Sequence, residues 1–380
     1  MVWIVPDELE EAVHAAARAA LGDAPLATAA LTRAIVDRSR RYTSERDRAA
    51  PDAAGDLAAR AMFFTVADAM KIAIPLGELA HRGALPARRP LRILDLGAGC
   101  GAMSLGAIAA LPAGVAVEIL AIDRDRDALS IAHAAVRALA ARRGVTATLT
   151  ARDADIARAA LPAADLAVLG GVLNELAGDA RLGVIERALA AIGDDGAVIA
   201  IEPALRDTAR ALHEVRDAVL RSGRGHVFAP CTRGLAPCPA LADPSDWCHE
   251  DRALQLPRRT AELARLTHLR DGGMKFAYLV LRRQPLALVD AAAAWRVVSA
   301  PMPAKGKLEV LGCSAAGRMP LRRLRRHRAP GNRDLDAAER GDVLVIDAAP
   351  GGDRVELTAE TRIERLTPAA PALQTRLPGA

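Results

Sequence analysis

Leu91-Arg-Ile-Leu-Asp95-Leu-Gly97-Ala98-Gly99-Cys100-Gly101, followed by a helical stretch and then Val117-Glu-Ile-Leu-Ala-Ile122-Asp123, decides the fold. It reads as a strand, an acidic turn with alternate glycines, a helix, and a second strand that ends in an acid. Alternate glycines let the backbone approach a ligand with no Cβ in the way. The helix that follows aims its free N–H groups at the same place. Asp123, 22 residues beyond Gly101, stands where an acid accepts from ribose hydroxyls. The order is that of a nucleoside-binding site.

The glycines run G-x-G-x-G with Asp95 two residues before the first, whereas a dinucleotide fingerprint reads G-x-G-x-x-G. The pattern is similar to the first motif of class I S-adenosylmethionine (SAM)-dependent methyltransferases, with NAD as the second choice of cofactor. Asp95, Gly97, Ala98, Gly99, Gly101 and Asp123 are then the cofactor residues. Asp95 is placed to hold the ammonium group, and Asp153 or Asp155 to accept from the adenine amine.

Outward from this stretch, residues 89–284 alternate strand and helix as a parallel sheet requires. Strands are expected at Arg92–Leu96, Val117–Ile122, Val145–Thr150, Asp165–Leu169, Ala197–Ile201, Gly225–Phe228 and Phe276–Arg282. That is an α/β fold of the seven-stranded, Rossmann-like kind. Residues 1–88 read as a helical cap with no chemistry of its own: one helix from Asp7 to Gly22, one over Leu26–Arg41 with Arg40 and Arg41 on a solvated face, and one over Gly55–His81 broken near Pro75. Residues 286–348 read as a small β-domain, of which an oligonucleotide-binding barrel is one form. Residues 349–380, rich in proline, alanine and charge, read as a partly disordered tail.

The insert 229–275 carries Cys231, Cys238 and Cys248, spaced by seven and ten residues in a proline-rich loop. Free cysteines in a reducing compartment are normally buried singly; three in one irregular loop point to a metal or cluster. Cys313, at the end of a β-domain strand, is the candidate fourth donor, and His249 the alternative. Four thiolates suit tetrahedral zinc or a [4Fe–4S] cluster. The absence of tight C-x2-C pairs leans toward the cluster.

Net charge is +5 and the aromatic content is 2%, which counts against recognition by base stacking. The stretch Arg318 to Arg333 holds seven arginines and no acid. Arg318, Arg322, Arg323, Arg325, Arg326 and Arg328 are the expected phosphate contacts. The acidic N-terminus is unlike a targeting segment, and no apolar run is long enough to span a bilayer. A cytoplasmic monomer with no membrane contact is expected.

Cys231…Cys238-Pro…Asp246-Trp247-Cys248-His249, then Lys275-Phe276-Ala-Tyr278-Leu-Val-Leu-Arg282-Arg283, together with Leu173-Asn174-Glu175-Leu176 and Gly341-Asp342, resembles the methyltransferase-like proteins of mitochondrial small-ribosomal-subunit assembly and their bacterial relatives. The resemblance covers about residues 90–348. It implies a class I methyltransferase fold that binds small-subunit rRNA and carries an iron–sulfur cluster on Cys231, Cys238, Cys248 and Cys313. The N-terminal helices and the low aromatic content depart from the pattern.

Catalysis is less legible. The Asn/Asp-Pro-Pro-aromatic motif of base-amine methyltransferases is missing after Leu169, and Asn174 and Glu175 are the weak catalytic candidates. Methyl transfer needs alignment more than acid–base groups. Three functions follow: an rRNA methyltransferase, a non-catalytic rRNA-binding assembly factor, and a small-molecule methyltransferase with a zinc-stapled lid.

Overall fold

The computed structural model describes residues 2–44, 52–112, 114–234, 236–270, 273–289 and 293–366. A short strand β1 (Trp3–Ile4) leads into a helical cap: α1 (Asp7–Leu21), α2 (Thr28–Ser44) and α3 (Ala53–Ala59). The third helix then runs on as a π-turn over Arg60–Thr65, α4 (Val66–Asp68), a 3-10 stretch over Ala69–Ile72 and α5 (Ala73–His81). Pro75 does not break it. It lies in the first turn of α5, where a missing N–H costs nothing, and the irregularity falls before it. The 3-10 stretch presses on the next helix, where a Cβ at Gly106 would stand 1.9 Å from the Ala69 carbonyl oxygen.

The sheet proper follows as β2 (Leu91–Leu96), α6 (Ala102–Ala110), β3 (Ala116–Asp123), α7 (Arg126–Arg143), β4 (Thr146–Asp153), β5 (Ala164–Gly170), α8 (Gly178–Ala191), β6 (Ile192–Pro203), α9 (Arg206–Ser222), β7 (His226–Ala229), β8 (Glu250–Gln255), α10 (Arg258–Thr267) and β9 (Gly273–Arg282). Helix α7 shows why sequence becomes structure here. The Asp125 carboxylate accepts from the backbone N–H of Asp127 and Ala128, and Gly144, left-handed at φ +63°, ends the helix.

The spatial order is β4-β3-β2-β5-β6-β9, with β7 on the far edge of β9. β2 to β6 are mutually parallel and β9 is antiparallel to β6 and β7. This is the class I methyltransferase sheet. The chain adds two strands to the expected seven. β7 is four residues long and covers only the Val280–Arg282 end of β9, so β8 pairs the rest, from Gly273 to Phe276, and β1 pairs β8. The part of β9 that β7 leaves open is thereby paired, and the sheet edge passes to the short β1. The cap, α6 and α7 share one core with one face of the sheet, and α8 and α9 bury the other. The crevice opens where the order reverses, between β2 and β5.

The second domain is β10 (Ala294–Val297), β11 (Met302–Ala304), β12 (Lys307–Ser314), β13 (Gly317–Leu324), β14 (Val343–Ile346), β15 (Val355–Leu357) and β16 (Ile363–Leu366). Its order is β15-β13-β12-β10-β14-β16, with β11 on β12, around a core that includes Trp295, Val310, Leu321 and Leu344. Among the described residues no pairing joins β15 to β16, so the sheet is open rather than a closed barrel. Residues 349–366, read from sequence as tail, supply two of its strands because Val355, Leu357 and Ile363 are buried in that core. The rest of the tail, 367–380, lies outside the described residues.

One buried cluster joins cap, sheet and second domain. Arg296 on β10 donates to Glu78 Oε1 of α5 at 2.7 Å and to Glu250 Oε1 of β8 at 2.9 Å. It also donates to the Tyr278 hydroxyl of β9 at 2.6 Å, and that hydroxyl donates to Glu78 Oε2 at 2.7 Å. The side chains of Arg296, Glu78 and Glu250 are 3%, 0% and 6% exposed. Burial would push the Glu250 carboxyl up, but Arg252 and Arg296 hold it below its ordinary value. Removing one partner of such a set leaves buried charge uncompensated, at a cost of about 3–5 kcal/mol. Arg296→Met should therefore lose several kcal/mol in urea unfolding of the intact protein. A change within about 1 kcal/mol would show that the cluster does not hold the modules together.

Candidate functional site

The glycine turn after β2 lies at the crevice. Gly97, at φ +73°, is irreplaceable by sterics alone, since a Cβ there would meet Val172 Cγ2 at 2.4 Å. The Gly97 and Ala98 N–H groups bond the Ile122 carbonyl at 2.8 and 3.2 Å, and the Gly99 N–H donates to Asp123 Oδ2 at 2.8 Å. Gly101, left-handed at φ +84°, starts α6. Two adjoining cavities of about 590 and 170 Å³ share Asp123, Arg124 and Glu175; the smaller also takes in Gly97, Asp155, Ile156 and Val172.

Three of the expected roles shift. Asp95 is 1% exposed and accepts from the Ser104 N–H at 3.2 Å and the Ser104 hydroxyl at 2.5 Å. Its carboxylate secures the first turn of α6 rather than lining the cavity, and burial pushes it up to about 6 despite those bonds. Of the two acids offered for the adenine amine, Asp153 pairs with Arg126 at the rim and Asp155 lines the cavity wall. The cap, read as free of chemistry, contributes Arg60, which pairs with Asp125 and lines the larger cavity. Arg41 is not on a solvated face either: it bonds Asp37 and Asp56.

At the neighbouring strand end, Asn174 is turned inward. Its amide donates to Glu202 Oε2 at 2.7 Å and to the Gly171 carbonyl at 3.0 Å, while Glu202 Oε1 accepts from the Leu173 N–H at 2.9 Å. Asn174 is 8% and Glu202 2% exposed. Glu202 is pushed up to about 7 by burial, which outweighs those hydrogen bonds. Glu175, one residue on, does face the cofactor cavities.

The four expected cysteines meet. Cys231, Cys238 and Cys248 from the insert and Cys313 from β12 line one cavity of about 40 Å³, together with His213, Arg216, Arg233, Arg296 and Arg318. His249 is not part of that wall; its ring stacks on Trp247 at 5.8 Å. Burial pushes the Cys238 thiol up to about 11 and Cys313 up to about 12, with the neighbouring thiols adding to the effect. The loop is pinned on both sides. The Trp247 indole donates to the Ala204 carbonyl at 3.0 Å, and the Thr232 hydroxyl donates to the Cys313 carbonyl at 3.2 Å. Among the described residues no group of three or more His, Cys, Asp or Glu side chains is arranged to hold a metal ion.

Sequence reading expects a helix over Pro203–Arg221 but gives it no role at this loop, which α9 braces. Arg210, His213, Arg216 and Asp217 form a stripe along α9, at three- to four-residue spacing, and each bonds the insert or its cysteines. Ionisable residues at helical spacing on a helix with buried positions were the available signal.

More than half of the arginine run is paired with acids of the protein, four of its seven members in all. Arg318 pairs with Asp246 of the cysteine loop, and Arg322 with Glu356. Arg323 is 3% exposed, donates to the Asn332 carbonyl at 2.7 Å and pairs with Asp336, which Arg328 also meets at 2.8 Å. Arg325, Arg326, Arg328 and Arg333 are exposed. The acids that balance the run lie outside it, so its density overstated its free charge.

A family model described as mitochondrial small ribosomal subunit Rsm22 matches residues 64–343. No curated protein sequence matches the chain. Solved structures resemble it at low identity. Magnesium protoporphyrin IX methyltransferase (ChlM) from Synechocystis PCC 6803 with bound SAH is 12% identical, with 65% of this chain and 93% of that one covered and a TM-score of 0.38. A TehB-like SAM-dependent methyltransferase from Corynebacterium glutamicum is 16% identical, with 55% and 88% covered and a TM-score of 0.31. Mitomycin 7-O-methyltransferase MmcR is 15% identical, with 68% and 72% covered and a TM-score of 0.36.

The Glu202 carboxyl gives a pH signature. In the unfolded chain it ionises near 4.5, and in the folded protein near 7. Between those values the folded state binds the extra proton, so stability falls as pH rises through the window and is level above it. Asp95 acts in the same sense, so the test is a difference between proteins. Glu202→Gln should flatten the decline in urea midpoint from pH 5 to pH 8 relative to wild type. Parallel profiles would show that Glu202 is not a buried proton holder.

Proposed function

Since the chain belongs to the Rsm22 family of the mitochondrial small ribosomal subunit, we propose that it is a methyltransferase-like protein that binds SAM, carries a [4Fe–4S] cluster on Cys231, Cys238, Cys248 and Cys313, and contacts small-subunit rRNA during subunit assembly. The observation that carries this reading is the convergence of four thiols, from two domains, on one cavity.

Four thiols line the cavity, and the wide, proline-flanked spacing of the three in the loop, with no tight C-x2-C pair, favours a [4Fe–4S] cluster over zinc. Such a cluster would supply four metal–sulfur bonds that cross-link the insert to β12. The chain's own part is to hold Cys313 in register and the three loop thiols in place, through Thr232, Trp247 and the Arg318–Asp246 pair.

In the cofactor cavity, Asp123 keeps lone pairs for ribose hydroxyls while its oxygens secure the Gly99 and Asp125 N–H groups. Asp155 and Ile156 wall the place of the base, and Gly97 gives close backbone approach. SAM supplies an activated methyl group, and the protein's task there is alignment. Exposed Arg325 and Arg326 offer phosphate contacts that carry no sequence information.

A second reading, a non-catalytic assembly factor, is favoured by one specific feature. The Asn174 amide N–H groups are committed to Glu202 and Gly171, and the side chain is turned inward at 8% exposure.

A strain lacking the gene should accumulate immature small subunits. Wild type should rescue it, and Cys238→Ser should not. The protein should co-sediment with small-subunit particles in a salt-sensitive way. A normal subunit profile with no co-sedimentation would contradict the proposal. An rRNA methyl group lost in that strain, and restored by wild type but not by Gly97→Val, assigns catalysis; an unchanged methylation map assigns the second reading.

A further inference from the structure

Helix α9 is more than a wall beside the cysteine loop. Arg210 Nη1 donates to the carbonyls of Ala240, Asp243 and Asp246 at 3.0, 2.8 and 2.9 Å, which curls the loop around one guanidinium. One turn on, His213 Nε2 accepts from the Cys248 N–H at 3.1 Å. A further turn on, Asp217 Oδ2 accepts from the Cys238 N–H at 2.8 Å. Beside it Arg216, 2% exposed and the largest fully buried side chain, donates to Asp217 Oδ1 and to the Arg233 carbonyl at 3.1 Å. Arg216 also bonds the Cys231 side chain and lines the cavity with all four thiols. A continuous chain therefore runs from the Cys231 sulfur through Arg216 and Asp217 to the Cys238 amide.

The charges around the cavity are distributed unevenly. Arg296 is balanced by Glu78 and Glu250, and Arg318 by Asp246. Arg216 meets Asp217, whose other oxygen already serves the Cys238 amide. A guanidinium this deeply buried is stable only beside negative charge. Asp217 supplies one such charge, and four thiolates around a [4Fe–4S] core would form a dianion that adds to it.

We propose that Arg216 is the positioning residue and counter-charge of the four-sulfur site, holding Cys231 and Cys238 through its bonds and favouring the more negative, reduced cluster through its charge. The inference rests on the cluster reading above. Arginine is needed rather than lysine for the first role, because only a planar fork can serve a sulfur, a carboxylate and a carbonyl together. Charge is enough for the second, since net charge and hydrogen bonds at the sulfurs set the potential of such clusters.

The test uses full-length protein purified anaerobically, with iron and sulfide content, the rate of iron loss to a chelator, and the midpoint potential from a mediated redox titration followed by EPR. Arg216→Met should lose iron on the order of tenfold faster than wild type, as loss of an outer partner does at metal sites, and its midpoint should move negative. Arg216→Lys should lose iron faster than wild type yet keep a midpoint near it. Asp217→Asn, which removes a negative charge and keeps the shape, should move the midpoint positive and keeps the charge claim testable if Arg216→Met does not fold. A loaded wild type whose potential is unmoved in both Arg216→Met and Asp217→Asn overturns the inference and leaves the cluster reading standing. A wild type that takes up no iron overturns both.

Discussion

A guanidinium shut away from water, between carboxylates that arrive from different parts of the chain, sets where the modules stand. Arg296 can be buried only if Glu78, Glu250 and the Tyr278 hydroxyl reach it together, because an uncompensated charge there would be expelled or neutralised. Meeting that requirement docks β10 against the cap and against the β8–β9 edge. In the antiparallel pairing of β10 with β12, Arg296 stands opposite Cys313. The position of the fourth thiol is therefore set by the ion cluster as much as by the cysteine loop. Tyr278 and Arg296 also line the sulfur cavity, so the lock between modules and the wall of the site are the same side chains.

The fold follows from short-range chemistry. Strands such as Asp165–Leu169 and Ala197–Ile201 are apolar on both faces and could only be interior strands of a parallel sheet, and Gly97 to Asp123 gives the switch point a ligand pocket. Those features were legible in one sequence because each is local. Three of the cysteines were legible as a set because they share one proline-rich loop, where burial one by one is implausible for free thiols; the fourth stayed open between Cys313 and His249 until the family resemblance implied Cys313.

What was illegible depends on partners far away along the chain. Asp95 looked like a ligand because acid-then-glycine is a binding pattern, yet Ser104, nine residues on, takes its carboxylate. The arginine run looked free because no acid lies within it, but Asp246, Asp336 and Glu356 reach it from elsewhere. Arg60 was passed over inside a helical cap whose periodicity spoke only of packing. β15 and β16 sat in a stretch whose composition resembles a tail, although a few buried residues were enough to bring them into the second sheet.

The account comes down to whether four sulfurs, three from one loop and one from the opposite domain, hold a single inorganic group that staples the methyltransferase fold to its partner module. Mössbauer spectroscopy of 57Fe-grown, anaerobically purified protein tests this most directly. The account predicts the quadrupole doublet of a [4Fe–4S] cluster at near-full occupancy, lost when Cys313 is replaced by serine. Protein free of iron, or carrying zinc on the same thiols, would contradict it.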